Sequence, residues 1–167
     1  LEVLVLAVEA LQSCGLTDFR LEIGHIGLFN TLIRRLNLSE EDAEEIRTLI
    51  QTKNFPSLND RLDRMADQET ASMLKQLPAL FGGEEVFGQA AEILHFPELS
   101  SDMEALHSVY QSLSQLGLGD KLSIDLGIVN RNDYYTGIVF RGYVEGLGTT
   151  ALLGGRYDSL LSEYGSP

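Results

Sequence analysis

Two short stretches carry side chains suited to reading a small polar ligand. The first is NRNDYYTGIVF, residues 130–140, which sets an acid and two tyrosines, Tyr134 and Tyr135, at the mouth of an expected strand. The second is LGGRYDSLL, residues 153–161, a glycine pair leading Arg156 and Tyr157 toward an expected amphipathic helix. A tyrosine brings an apolar ring and a hydroxyl that both donates and accepts; an arginine brings a permanent, forked charge. Strand alternation places Tyr135, Gly137 and Val139 on one face and Tyr134, Thr136, Ile138 and Phe140 on the other. Gly137 removes a side chain beside Tyr135, which leaves room for a ligand or another backbone. Each stretch also has a plain packing explanation. Paired tyrosines often pack with a wet hydroxyl, and Gly154 and Gly155 permit a tight strand-to-helix turn with Arg156 bonded to a nearby carboxylate. Neither stretch alone separates a pocket that catalyses from one that only binds.

The elements that must position these residues follow from periodicity. Leu1, Leu4, Val5, Val8 and Leu11 recur at helical spacing, with Gly15 as the stop. DFRLEIG then alternates Phe19, Leu21 and Ile23 against Arg20 and Glu22, as a half-buried strand does. A short helix, IGLFNTLIRRL, follows. From Ser39 to Pro97 the chain is expected to be helical throughout, with Ser39 as an N-cap, acids in the first turn, and Pro56, Pro78 and Pro97 dividing it into short helices. This block reads as an insertion, and its acid run from Glu40 to Glu45 as a solvated helix face. SSDMEALHSVYQSLSQLGL is a long amphipathic helix burying Met103, Leu106, Val109, Tyr110, Leu113 and Leu116, with Gly117 ending it. Three strands are expected after Asp120: LSIDLGIV, YYTGIVFRGYVEG and TTALLGG. The glycine-rich EGLG makes the last two a hairpin, so antiparallel pairing is preferred over parallel winding. RYDSLLSEYG closes as a helix packing Leu160, Leu161 and Tyr164. The fold class is α+β.

Composition narrows the function. The 167 residues with 44% hydrophobic content can bury one substantial core. A net charge of -13 disfavours a role in gripping phosphate backbones. The single Cys14 excludes an internal disulfide, and three well-separated histidines leave no recognisable zinc site. No apolar run approaches the roughly 18 residues of a membrane span, and Glu2 and Glu9 without a basic flank argue against a signal peptide. A soluble cytoplasmic protein is expected. The chain lacks an initiator Met and starts inside a helical pattern, so it reads as a fragment of a longer protein.

Together, in this order and spacing, the two stretches resemble the histidine-specific motifs of histidyl-tRNA synthetases, which run approximately RGLDYYTRTVFE and GGGRYDGL. The opening LEVLVLAVEALQSCGLTDFRLEIGHIGLFNTLI is also similar to the synthetase segment after the second class II motif. The resemblance covers residues 1–37 and 98–167, with 38–97 matching in position as the family's helical insertion. It implies a class II aminoacyl-tRNA synthetase-like core, an antiparallel sheet with flanking helices. One departure bears on chemistry. Asn130 stands where the synthetases carry an arginine that offsets charge during adenylate formation, and an amide is neutral with weaker donors. Loss of such a donor costs about 2.7–4 kcal/mol in the transition state. Arg131, one residue on, would face the other side of a strand. Gly137 also stands where synthetases usually carry arginine.

With those departures the chain looks like the regulatory-subunit family of ATP phosphoribosyltransferase, synthetase-like paralogues acting at the first step of histidine biosynthesis. The resemblance implies no catalytic residues, no cofactor and no metal, and no nucleic-acid or membrane partner. It implies association with a short-form ATP phosphoribosyltransferase catalytic subunit in a homo- and hetero-oligomer, with histidine as the feedback effector. Carried over from the synthetases, Tyr135 would hydrogen-bond the imidazole edge and Tyr134 would support the wall. Tyr157 would close the other side of the ring, and Gly154 and Gly155 would let the turn approach. Asn130 and Arg156 would support the pocket. Three alternatives stay open: a fragment of a histidyl-tRNA synthetase catalytic core, a synthetase-like domain of a regulatory kinase, and a scaffold with a vestigial pocket.

Overall fold

The computed structural model describes residues 1–129 and 135–158. Its element order is α1 (Glu2–Ser13), β1 (Phe19–His25), α2 (Ile26–Arg35), α3 (Glu40–Gln51), α4 (Phe55–Leu62), α5 (Gln68–Gln76), β2 (Phe81–Gly82), α6 (Glu85–Ile93), α7 (Pro97–Gln115), β3 (Leu122–Asp125), β4 (Ile138–Val144) and β5 (Thr150–Gly155). The strands form one sheet in the order β2-β3-β1-β4-β5. The β4–β5 hairpin is antiparallel, as are β1–β4 and β2–β3. The sheet is mixed, however: β1 and β3 run parallel, Leu21 opposite Leu122 and Ile23 opposite Ile124. The whole helical segment lies between those two strands, and a crossover of that length is what a parallel pair requires.

Alternation divides the sheet into two faces. Phe19, Leu21 and Ile23 of β1, Leu122 and Ile124 of β3 and Phe140 of β4 join the main core with Leu4, Val8, Leu28, Leu32, Leu106 and Leu113 of the helices. Leu21 and Ile23 are fully buried, each worth about 1.5–3 kcal/mol of transfer free energy. The opposite face carries Arg20, Glu22, Asp125, Arg141 and Tyr143. It also holds a second, small apolar cluster of Ile26, Ile128, Tyr135 and Val139.

Short helices between Ser39 and Asp67 are held by side-chain caps. Ser39, Asn54 and Asp67 accept from the backbone N–H of Asp42, Ser57 and Thr70 respectively. Pro56 sits in the first turn of α4 and Pro97 opens α7, positions where a missing N–H costs nothing. The expected strand-free segment does contain one two-residue strand, β2, at the sheet edge. Gly15 and Gly117 take left-handed backbone angles just after their helices. Leu116, expected inward, is 59% exposed because α7 ends there. The closing helix, with Leu160, Leu161 and Tyr164, falls outside the described residues.

Candidate functional site

The two stretches meet where β4 begins and β5 ends. Beyond the regular ladder the pairing continues: Arg156 N–H donates to Ile138 carbonyl (3.1 Å) and Thr136 N–H to Arg156 carbonyl (2.9 Å). Thr136 hydroxyl donates to Asp158 (2.7 Å), Asp158 N–H donates back to Thr136 (3.1 Å), and Arg156 Nε donates to Asp158 (2.7 Å). The Thr136 hydroxyl and the Arg156 guanidinium hold the Asp158 carboxyl below its usual range. Arg156 and Asp158 thus clasp the strand ends.

Inside this clasp Tyr135 and Tyr157 face each other. Their ring centroids are 4.9 Å apart at 42°, and Tyr157 hydroxyl donates to Tyr135 hydroxyl at 3.4 Å. Tyr135 is buried at 4% exposure, whereas Tyr157 is 49% exposed, so one ring packs inward and the other faces solvent. The inner ring can pack there because Gly155 lacks a side chain: a Cβ would stand 2.4 Å from the Tyr135 ring. Gly154 does something else. Its missing side chain makes room for the Phe140 ring on the helix-packed face, at 2.4 Å from an added Cβ. Both glycines lie inside β5 rather than in a turn, and neighbouring strand residues point to opposite faces. Only Gly155 belongs to the tyrosine corner. Gly137 lets Arg156 approach, since an added Cβ would meet Arg156 Cδ at 3.2 Å, and it also borders a cleft. Asn130, Arg131 and Tyr134 lie outside the described residues.

Sequence reading missed His25. It ends β1, is 8% exposed, and its Nδ1 accepts the Gly27 N–H at 3.2 Å, capping α2. Asp102 of α7 stands 3.5 Å from the same nitrogen. Burial lowers the His25 pKa and Arg156 lowers it further, against the pull of Asp102, so the neutral ring is favoured. The next residue, Ile26, donates its N–H to Gly137 carbonyl at 3.1 Å. His25 therefore ties β1, α2 and the start of β4 together beneath the corner. It lines a cleft of about 440 Å³ with Leu4, Val109, Ile138 and Arg156. Its sequence signal, a histidine directly before a helix, is too common to single out.

A five-stranded sheet with helices on one face and polar and aromatic side chains on the other is the arrangement of a class II aminoacyl-tRNA synthetase core. The model of the family described as "Histidyl-tRNA synthetase" matches residues 1–167. The chain belongs to that family. It is 41% identical over 167 residues to the protein of Clostridium kluyveri named ATP phosphoribosyltransferase regulatory subunit, covering 98% of this chain and 43% of that one. It is 43% identical over 165 residues to the protein of the same name from Caldanaerobacter subterraneus, again covering 98% and 43%. Among solved structures, an ATP phosphoribosyltransferase regulatory subunit/histidyl-tRNA synthetase from Bacillus halodurans superposes with TM-score 0.87 at 30% identity, over 99% of this chain and 44% of the other. The chain thus spans less than half the length of these relatives. No helix among the described residues is long and apolar enough to cross a membrane.

Proposed function

We propose that this chain is part of a non-catalytic regulatory subunit of ATP phosphoribosyltransferase that binds histidine at the Tyr135–Tyr157 corner. The observation that carries the reading is the pair of tyrosine hydroxyls 3.4 Å apart over Gly155. One hydroxyl of such a pair can donate to an imidazole nitrogen while the other accepts from an imidazole N–H, so a neutral five-membered ring with one donor and one acceptor fits the corner. Asn130 in place of the synthetase arginine supports the absence of catalysis, because a neutral amide cannot balance an adenylate's developing charge. The names of the relatives support the regulatory role and the pairing with a separate catalytic subunit. In this reading Gly155, Tyr135 and Tyr157 touch the ligand, Tyr134 and Asn130 complete the wall, and Arg156 holds the strand ends without touching it. Gly154 serves the core. Residues 38–97 act as the insertion, in a cytoplasmic hetero-oligomer.

Feedback suits such a pocket. An effector shifts an assembly by its differential affinity for two states, and converting it would destroy the signal. The full-length protein with ATP and histidine is expected to show no pyrophosphate exchange above background. It is also expected to co-purify with a short-form catalytic subunit and raise its activity. Exchange at a synthetase-like rate would replace this reading with that of a synthetase core.

A further inference from the structure

A second cleft, of about 500 Å³, lies on the same sheet face but shares no residue with the tyrosine corner. Its floor is the sheet, with Glu22 of β1, Asp125 of β3 and Arg141 and Tyr143 of β4; Lys53 and Phe55 of the helical segment and Phe81 of the edge strand β2 border it. Two features separate it from ordinary packing between helices and a sheet.

The first is charge. Two carboxylates, Glu22 and Asp125, share the cleft with two cations, Lys53 and Arg141, close enough that both carboxylates feel both cations. The cleft is therefore balanced inside a chain of net charge -13. Both acids sit in a poorly solvated place, and burial holds their pKa values above the ordinary range; Asp125 raises Glu22 further, while Arg141 and Lys53 pull both back. The second feature is the rim. Phe81 is 53% exposed and Phe55 39% exposed, so two partly exposed aromatic rings border a charged floor. The geometry is fixed from both sides: Val129 carbonyl accepts from Arg141 of β4 (2.8 Å) and from Gln51 of α3 (3.3 Å), and Asp125 accepts from Gly127 N–H (2.9 Å). Lys53 holds a left-handed backbone angle, φ 54°, directly before the Asn54 cap.

We infer that this cleft is a second ligand site, for a zwitterionic α-amino acid with an apolar or aromatic side chain. The charge balance selects the ligand. An anion would face Glu22 and Asp125, and a cation would face Lys53 and Arg141. A ligand bearing one ammonium and one carboxylate sets the ammonium toward Glu22 and Asp125 and the carboxylate toward Lys53, in the field of Arg141. Its side chain then covers Phe55 and Phe81 and removes their exposed rings from water. An ammonium between two desolvated carboxyls also reverses the effect of their burial, so binding releases protons wherever those acids are partly protonated. A polyanion such as nucleic acid meets two acids here and a strongly negative chain elsewhere, which disfavours it.

The test uses the full-length protein and L-phenylalanine as probe, followed by calorimetry, with phenethylamine and 3-phenylpropionate as controls that each lack one charge. L-Phenylalanine is expected to bind at least about tenfold more tightly than either control. Lys53→Gln and Phe81→Ser, both at the border of the cleft, are expected to weaken it by about tenfold and leave histidine affinity unchanged. Tyr135→Phe is expected to weaken histidine alone. Absence of L-phenylalanine binding, equal binding of a singly charged control, or loss of binding on Tyr135→Phe but not on Phe81→Ser would overturn the inference. Absence of histidine binding by the unsubstituted full-length protein, with its L-phenylalanine binding intact, would overturn the proposed function and sustain this site.

Discussion

The tyrosine corner and the charged cleft occupy one sheet face, yet they solve opposite problems. The corner is built from neutral groups: two hydroxyls 3.4 Å apart and two rings over a glycine. In the cleft, four formal charges are crowded against the sheet and hold one another in balance. A neutral pair desolvates at modest cost and keeps its hydrogen-bonding versatility. Buried charges are costly unless paired, so their presence marks a place where ionic contacts are needed. If both proposed ligands bind, selection rests on shape and neutral hydrogen bonds at the corner and on electrostatics in the cleft.

The sharpest way to break this comparison is to fill a glycine. Gly155→Ala drives a methyl to 2.4 Å from the Tyr135 ring, and overpacking of this kind costs roughly 1–3 kcal/mol. Chemical denaturation should show that loss, and histidine binding should fall with it. Gly154→Ala crowds Phe140 equally and should lose similar stability, but it acts on the helix-packed face and should leave histidine affinity nearly intact. Equal loss of binding in both variants would refute the division of labour between these glycines.

A smaller effect is expected at His25. His25→Ala removes a helix cap, worth about 0.5–2 kcal/mol. The wild-type protein should also show a pH dependence from this ring. Because its folded pKa is lowered, the unfolded chain takes up the proton first. The stabilisation is thus complete above the ordinary value of 6.5 and is lost as pH falls through the window below it, down to the folded pKa. Thermal melts between neutral and mildly acid pH would check this, and the slope attributable to His25 should vanish in the variant.

The smallest effect is expected in the cleft. Asp125 has a raised folded pKa, so the native state holds the proton more tightly. Its stabilising contribution is present below the ordinary value of 3.8 and is lost as pH rises through the folded pKa. Asp125→Asn should therefore stabilise slightly at neutral pH and lose that advantage in acid, seen as crossing melting curves. An Asn that destabilises at neutral pH would mean that Arg141 and Lys53 outweigh burial.

Much of this was legible in the sequence, and the rest was hidden for identifiable reasons. Period-two alternation in DFRLEIG placed Phe19, Leu21 and Ile23 inward and Glu22 outward, as found. EGLG announced the β4–β5 hairpin, and Ser39 its cap. The tyrosine pair was visible because its motif is local and resembles a known family. The charged cleft was not, because Glu22, Asp125 and Arg141 become neighbours only through register between strands far apart in sequence. The parallel β1–β3 pairing was hidden for the same reason. Gly154 and Gly155 looked equivalent until their strand placement assigned them to opposite faces.

The most direct test of the central claim is a calorimetric titration of histidine into the full-length protein and its Tyr135→Phe variant. The variant keeps the ring over Gly155 and removes one hydroxyl, so the fold should be little changed. One lost hydrogen bond with its partner left unsatisfied should weaken histidine by about 1–3 kcal/mol, roughly five- to a hundredfold. Unchanged affinity in the variant, or no histidine binding by the parent protein, would contradict the account.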